Sequence, residues 1–269
     1  MSETVQHVEE MVDSTARADV TETFEEWQRL LRTLADRIGE RFELHRDPST
    51  ADLESYGDPS TGPSGRLAAY AGPEIDWLVH SWIGDPSTGF VNMHLTAWLG
   101  PRIRVPHLGC ALLLWPEGWF YIDAIPRGDL LGEPDYYDRY YLDADEPWLT
   151  FKAEHPDFRW FTSRTGFIRA SLSPTAYCYS FPTTRANLDT VAALLTDRVG
   201  RWLGWVDAAE PVAPGERAAL AARDLAVRRN IAERDPANVM GRRMFGDELT
   251  DRLVRALWGG DRVLERPSA

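Results

Sequence analysis

The sequence predicts an α/β protein, a three-layer α/β/α sandwich with a central antiparallel sheet of about six or seven strands flanked by helices. Three observations point there. Four segments rich in β-branched and aromatic residues follow one another between residues 76 and 125. Only short turns separate them, and strands so closely connected pair antiparallel, because a parallel crossover needs about a dozen residues or more. Amphipathic stretches lie before and after this run, and no repeat or clean linker divides the chain.

Taken in order, residues 1–20 are polar and acidic and are expected to form a disordered tail, leaving 21–269 as a single domain. Thr23 followed by Glu26 fits a capping box. Phe24, Trp27, Leu30, Leu31, Leu34 and Ile38 then recur at three-to-four spacing and predict one helix packed on the sheet. Pro48 to Gly65 is rich in Asp, Ser, Pro and Gly and reads as a loop. The strands are expected at 76–83, 90–99, 102–115 and 119–125, with turns at Gly84-Asp85-Pro86, Gly100-Pro101 and Pro116-Glu117-Gly118. A short helix is expected at 135–141. Two further strands are expected at 165–172 and 175–181, joined through Ser173-Pro174. Helices over about 187–205, 215–231 and 247–258 close the chain.

The net charge of −13 and pI of about 4.9 repel phosphate backbones, so no nucleic-acid partner is expected. No apolar run reaches the roughly 18 residues of a membrane span. With no charged-then-apolar leader, a cytoplasmic protein is expected. A Gly-x-Gly-x-x-Gly fingerprint, a P-loop and a Gly-x-Ser-x-Gly elbow are all missing. Cys110 and Cys178 each sit in an apolar run and read as buried thiols. His80, His94 and His107 lie on successive strands and could converge, but strand register is open, and the expected metal is none. The chain therefore shows no electron carrier of its own.

Three stretches resemble the red chlorophyll catabolite reductase family, within the ferredoxin-dependent bilin reductase superfamily. The first is Val105-Pro106-His107-Leu108, leading to Tyr121-Ile122-Asp123-Ala124-Ile125-Pro126-Arg127-Gly128-Asp129-Leu130. The second, and the most specific, is Phe167-Ile168-Arg169-Ala170-Ser171-Leu172-Ser173-Pro174-Thr175-Ala176. The third runs from Arg228-Arg229-Asn230-Ile231-Ala232-Glu233-Arg234-Asp235, through Arg243-Met244-Phe245-Gly246-Asp247-Glu248, to Asp251-Arg252. The resemblance implies a linear tetrapyrrole held between the sheet and the C-terminal helices. It also implies no bound cofactor, with electrons arriving singly from reduced ferredoxin. The protein then supplies protons, from groups whose pKa burial has moved toward neutrality.

Asp235 is the first candidate donor, at the position of a functional aspartate in the family; it also fits a turn residue before Pro236. The family's second carboxylate, a glutamate, falls on Ala111 here, which puts the family's particular double-bond reduction in question. On an undisturbed strand His107, Gly109 and Ala111 share one face, so His107 is the substitute donor, or else a structural histidine. Asp123 either meets pyrrole N–H groups as a third catalytic candidate or pairs with Arg127. His94, Ala111, Arg169 and Trp98 are the expected substrate contacts. Arg169 is read as a strand residue able to hold a propionate, and Trp98, or Trp82, as an aromatic wall. Residues 217–243 carry seven arginines against three acids. Arg228, Arg229, Arg242 and Arg243 are thus the expected docking face for an acidic ferredoxin, or a solvated face with internal ion pairs.

Overall fold

The computed structural model describes residues 6–7 and 17–268. Its sheet has ten strands: β1 (Gln6–His7), β2 (His45–Arg46), β3 (Tyr56–Gly57), β4 (Ser64–Ala71), β5 (Ile75–Asp85), β6 (Phe90–Leu99), β7 (His107–Leu114), β8 (Gly118–Ile125), β9 (Arg159–Thr162) and β10 (Tyr177–Phe181). The helices are α1 (Thr21–Arg41), α2 (Pro134–Tyr140), α3 (Leu142–Glu154), α4 (Gly166–Ala170), α5 (Arg185–Asp207), α6 (Pro214–Arg234) and α7 (Asn238–Trp258). The strands lie in the order β1-β9-β10-β8-β7-β6-β5-β4-β2, with β3 beside β4. From β4 to β8 the sheet is the expected antiparallel meander. Most of the expected N-terminal tail lies outside the described residues; Gln6–His7 pairs in parallel with Phe161–Thr162.

β7 sits at the centre, and all eight of its residues are buried. A strand covered on both faces needs no alternation, which is why His107–Leu114 reads as a continuous apolar run. One face of the sheet packs on α1 and α5. There Met93, Leu95, Cys110, Leu112, Phe120, Ile122 and Tyr179 meet Trp27, Leu31, Leu34, Ile38, Val191, Leu195 and Trp202. Each large apolar side chain fully buried this way contributes roughly 1.5–3 kcal/mol. The other face carries a smaller cluster, in which Trp77, Val79, Trp98 and Ile125 meet Leu253 and Ala256 of α7. The second face is the less filled of the two, and the cleft described below opens on it.

Four local expectations are corrected. α1 starts at Thr21, whose amide donates to Asp19, so Thr23 and Glu26 lie inside the helix and make no capping box. The segment 48–65 is not a plain loop: it holds a 3-10 turn over Pro48–Leu53, then β3 and the start of β4. β4 is built from small residues because its neighbours come close. A Cβ on Gly65 would lie 2.4 Å from the Tyr56 ring. Residues 165–172 form no strand; Gly166–Ala170 is one helical turn, and the pairing strand is β9 before it. Residues 102–106 also stay out of the sheet, because the buried Arg127 guanidinium takes the carbonyls of Gly100, Ile103 and Val105 as acceptors.

Candidate active site

Register brings one row of side chains across five strands. Cys178 pairs with Tyr121, Tyr121 with Ala111, Ala111 with His94, and His94 with Ser81. Alternation points all five to the face covered by α6 and α7. The neighbouring row holds Asp123, Gly109, Thr96 and Val79. These floors are mostly small residues, and the cleft above them has a volume of about 1300 Å³, open mouth included. A second hollow of about 880 Å³ shares Asn92, His94, Leu113 and Asp235 with it, so the two form one groove. Ligand clefts commonly enclose ~300–1,000 Å³, so a long, flat molecule fits the combined space.

The roof comes from α6 and the turn after it. Arg228, Ile231, Ala232 and Asp235 lie at helical positions i, i+3, i+4 and i+7, and all four line the cleft. Asp235 is the residue that ends α6. It is a turn residue and a cleft residue at once. Its Oδ1 accepts from the amide of Ala237 at 2.8 Å, while Oδ2 has no partner among the described residues. Burial pushes this carboxyl above the ordinary aspartate range, opposed by the Ala237 hydrogen bond. It can therefore stay protonated closer to neutral pH than an exposed aspartate.

His94 lines both parts of the groove and has no hydrogen-bond partner among the described residues. Burial lowers its pKa to about 4, so the imidazole is neutral at rest. Negative charge arriving on a bound ligand would favour its protonated form. Two further polar groups were missed from sequence. Asn92, two residues before His94 and on the same face, presents a buried Oδ1 with no partner. Tyr121 lines the cleft and donates from its hydroxyl to Asp123 Oδ2 at 3.3 Å. The alternation that placed Gly109 and Ala111 on one face also places Asn92 and Tyr121.

Asp123 does not pair with Arg127. It accepts from the Ser173 amide at 2.9 Å and from the Ser173 hydroxyl, and burial raises its pKa to about 6. Ser173 arrives on the loop after α4, which explains the tight spacing of the Ser171-Leu172-Ser173-Pro174 stretch. Arg127 instead grips Asp224 of α6.

His107 does not reach the cleft, so the substitute-donor reading is corrected. Its Nδ1 accepts from the Leu99 amide at 3.0 Å, its Nε2 lies 3.4 Å from Asp224 Oδ1, and the Trp98 ring covers it at 4.8 Å. Burial lowers its pKa to about 4. It is a structural histidine under the cleft wall. Gly109 makes room not for ligand alone but for protein: a Cβ there would come within 3.0 Å of Tyr121 and Ile125. Trp98 and Ala111 do line the cleft; Trp82 lines its annex and stacks edgewise on Phe24.

Arg169 is also corrected. It lies on α4 rather than on a strand, and its Nη1 donates to the carbonyls of Ser163 and Arg164, both at 2.8 Å. It staples that turn and is not among the cleft-lining residues. Of the expected docking arginines, Arg228 is buried, with 2% exposed, and cannot dock a protein. Arg229 pairs with Glu233, and Arg242 with Asp247 and Asp251; these two are exposed, as is Arg243. His80 does not converge with the other histidines, since it shares its face with the α1-side core residues Leu95 and Cys110. Among the described residues no three His, Cys, Asp or Glu side chains form a metal-binding group, and no helix is long and apolar enough to cross a membrane.

A broad antiparallel sheet between two helical layers, with an aromatic-walled groove under its C-terminal helices, defines the bilin reductase fold. The crystal structure of selenomethionine phytochromobilin synthase from tomato, in complex with biliverdin, superposes with a TM-score of 0.74 at 18% identity. The match covers 87% of this chain and 83% of that one. The model of the red chlorophyll catabolite reductase (RCC reductase) family matches residues 26–258, and the chain belongs to that family. It is 26% identical over 227 residues to the chloroplastic red chlorophyll catabolite reductase of Arabidopsis thaliana, covering 77% of this chain and 70% of that protein. It is 28% identical over 160 residues to phycoerythrobilin:ferredoxin oxidoreductase of Gloeobacter violaceus, covering 58% and 63%. The expectation of a cytoplasmic protein is overturned by the Arabidopsis relative, whose name places it in the chloroplast. Composition does not fix the compartment.

Proposed function

We propose that this protein reduces a carbon–carbon double bond of a linear tetrapyrrole, with electrons from reduced ferredoxin and protons from its own side chains. One observation carries the reading. The groove holds a protonatable carboxyl, Asp235, and a neutral imidazole, His94, and each has hydrogen-bonding capacity left over for a ligand.

The chemistry follows from that pairing. A conjugated ligand lies flat on the floor of Thr96, Gly109 and Ala111, walled by Trp98, Trp119 and Phe161. Its pyrrole N–H groups find acceptors in Asn92 Oδ1 and Asp235. One electron makes the bound ligand an anion radical, and that charge raises the proton affinity of the ligand and of His94 together. Asp235 gives the proton, and a second electron and proton complete the reduction. No bound flavin, nicotinamide or metal takes part in this scheme; the ligand's own conjugated system carries the unpaired electron between steps. Ferredoxin is acidic, and the exposed arginines near the end of α6 and the start of α7, including Arg229, Arg242 and Arg243, suit its approach.

Ala111 in the floor favours a product different from that of relatives with a carboxylate there. The remaining acid near that point is Asp123, linked to the cleft through the Tyr121 hydroxyl. The test is anaerobic turnover of biliverdin and of red chlorophyll catabolite with a ferredoxin-reducing system, followed by absorption. Loss or shift of the long-wavelength band in either substrate supports the proposal; no change in both contradicts it.

A further inference from the structure

Two protons must reach the substrate, and the roof supplies one of them through Asp235. The floor lacks the carboxylate that the resemblance places at Ala111. Directly across the strand pair from Ala111 stands Tyr121, half-buried and lining the cleft. Its ring can lean along the sheet only because residue 109 is glycine: a Cβ there would come within 3.0 Å of the Tyr121 Cε1 and hydroxyl oxygen. Behind the hydroxyl lies Asp123, whose Oδ2 accepts from it at 3.3 Å. Asp123 is 4% exposed and is not among the cleft-lining residues, so a proton passing from it to a ligand goes through Tyr121. Tyr121 is not what holds Asp123 in place. The Ser173 amide donates to Oδ2 at 2.9 Å and the Ser173 hydroxyl donates to Oδ1.

A tyrosine alone is a poor donor here. Burial and the neighbouring Asp123 raise its pKa well above the ordinary phenol value, because a phenolate beside a carboxylate is disfavoured. Asp123 removes that obstacle. Burial raises its carboxyl to about 6, so part of the population is protonated near neutral pH. A protonated Asp123 can donate to the phenol oxygen, which turns the phenol proton toward the ligand. Other titratable groups facing the pair are Cys110 on β7, Cys178 on β10 and Tyr141 between α2 and α3. Burial raises both thiols to about 12 and Tyr141 higher still, so all three stay neutral. Across the cleft α6 brings Arg228 and Asp235, and β6 brings His94.

We infer that Tyr121 is the second proton donor, acting from the floor of the cleft, and that Asp123 is the positioning residue that reloads it. This rests on the tetrapyrrole reading above and divides its two protons between roof and floor. In the second step reduced ferredoxin gives one electron and is oxidised. The phenol O–H bond breaks as a C–H bond forms on the ligand radical. The phenol oxygen takes the proton of Asp123, which becomes a carboxylate. One electron and one proton enter the ligand, and Tyr121 ends neutral. Asp123 regains its proton from solvent between turnovers.

The experiment loads wild type, Tyr121→Phe and Asp123→Asn with biliverdin and adds reduced ferredoxin without oxygen, one electron at a time. Absorption and electron paramagnetic resonance are followed at pH values on both sides of 6. Tyr121→Phe keeps the ring, and should bind biliverdin and take up the first electron and proton as wild type does. Its second step should be about 10²- to 10⁴-fold slower, with the one-electron-reduced radical persisting. In wild type the second step should slow as pH rises through about 6, and in Tyr121→Phe this limb should vanish although Asp123 is intact. Asp123→Asn should lose the limb as well. If the Phe variant does not fold, a wild-type second step independent of pH, or one unchanged in Asp123→Asn, still overturns the relay. A second step as fast in Tyr121→Phe as in wild type overturns the inference and leaves the tetrapyrrole reading intact. A slowed step that keeps its limb makes Tyr121 a substrate contact and overturns it too. Failure of wild type to reduce either biliverdin or red chlorophyll catabolite overturns both.

Discussion

The Arg127 guanidinium closes on a single oxygen of Asp224, with Nε at 2.9 Å and Nη2 at 2.7 Å from Oδ2. The pair joins the end of β8 to the middle of α6, and α6 carries the cleft roof. Both side chains are buried. The same Asp224 lies beside His107, whose nearby charge, with Arg127, holds its pKa down at about 2 against desolvation.

Breaking that pair should loosen the whole roof. Asp224→Asn leaves Arg127 buried without its counter-charge, and removing one partner of a buried pair costs about 3–5 kcal/mol. Urea unfolding should show that loss, and substrate affinity should fall with it because α6 is displaced. A loss below about 1 kcal/mol would mean the carbonyls of Gly100, Ile103 and Val105 suffice for Arg127.

Asp123 makes a distinct prediction about pH and stability. Its carboxyl is raised from 3.8 to about 6 in the folded protein by burial. A raised folded pKa means the group's favourable contribution is full below 3.8 and is lost as pH rises through about 6. The swing is about 3 kcal/mol at ~1.36 kcal/mol per pH unit. Asp224, shifted the other way, changes only at far lower pH and does not mask it. Buried His80, His94 and His107, each lowered to about 4, give the opposite slope in this window but are common to both proteins, so the stability of wild type relative to Asp123→Asn should fall as pH rises from 3.8 through about 6. Parallel curves would show that Asp123 titrates normally.

Ala111 faces the cleft between His94 and Tyr121 in the register of the sheet. Ala111→Glu adds a carboxyl to the floor at the position where the resemblance places a family glutamate. The expected outcome is a change in which double bond is reduced, read by chromatography and absorption of the product. An unchanged product at an unchanged rate would mean that this row of the sheet delivers no proton.

Turnover should also depend on pH through Asp235. The donor must be protonated, and burial raises its pKa, so the rate should fall as pH rises through that value. In Asp235→Asn the residual rate should lose this limb. A pH profile identical in both proteins would assign the limb to another group.

The parts of the fold that could be read from sequence are those in which a local signal and the tertiary environment agree. The strands at 90–99 and 119–125 are bounded by Gly and Pro turns and were found within a residue or two. β4 was not, because Gly65, Ala68 and Ala69 have little strand preference alone, and Gly65 is there for the close approach of the Tyr56 ring. Residues 165–172 have a strand's composition, yet Thr165 and Ser171 are bound into one helical turn by local backbone hydrogen bonds. The site divides in the same way. Asp235 and Ala111, read from the matching stretches, and His94 and Trp98, read from residue type and place on a strand, all line the cleft. His107 and Arg228 carried the right chemistry but the wrong exposure, since neither the Trp98 lid nor the Asp76 cluster can be read along the chain. Tyr121 belongs to the first of the matching stretches, but its reach to Asp123 depends on Gly109, which lies opposite Asp123 and leaves room for the Tyr121 ring.

The central claim is that Asp235 protonates a reduced tetrapyrrole in this groove. The most direct measurement loads wild type and Asp235→Asn with biliverdin, adds reduced ferredoxin without oxygen, and follows absorption and electron paramagnetic resonance together. Both proteins should bind biliverdin and accept an electron. Wild type then goes on to a diamagnetic product, while the Asn variant accumulates the radical and forms product about 10²- to 10⁴-fold more slowly. Equal rates of product formation in the two proteins, with no persistent radical in the variant, would contradict it.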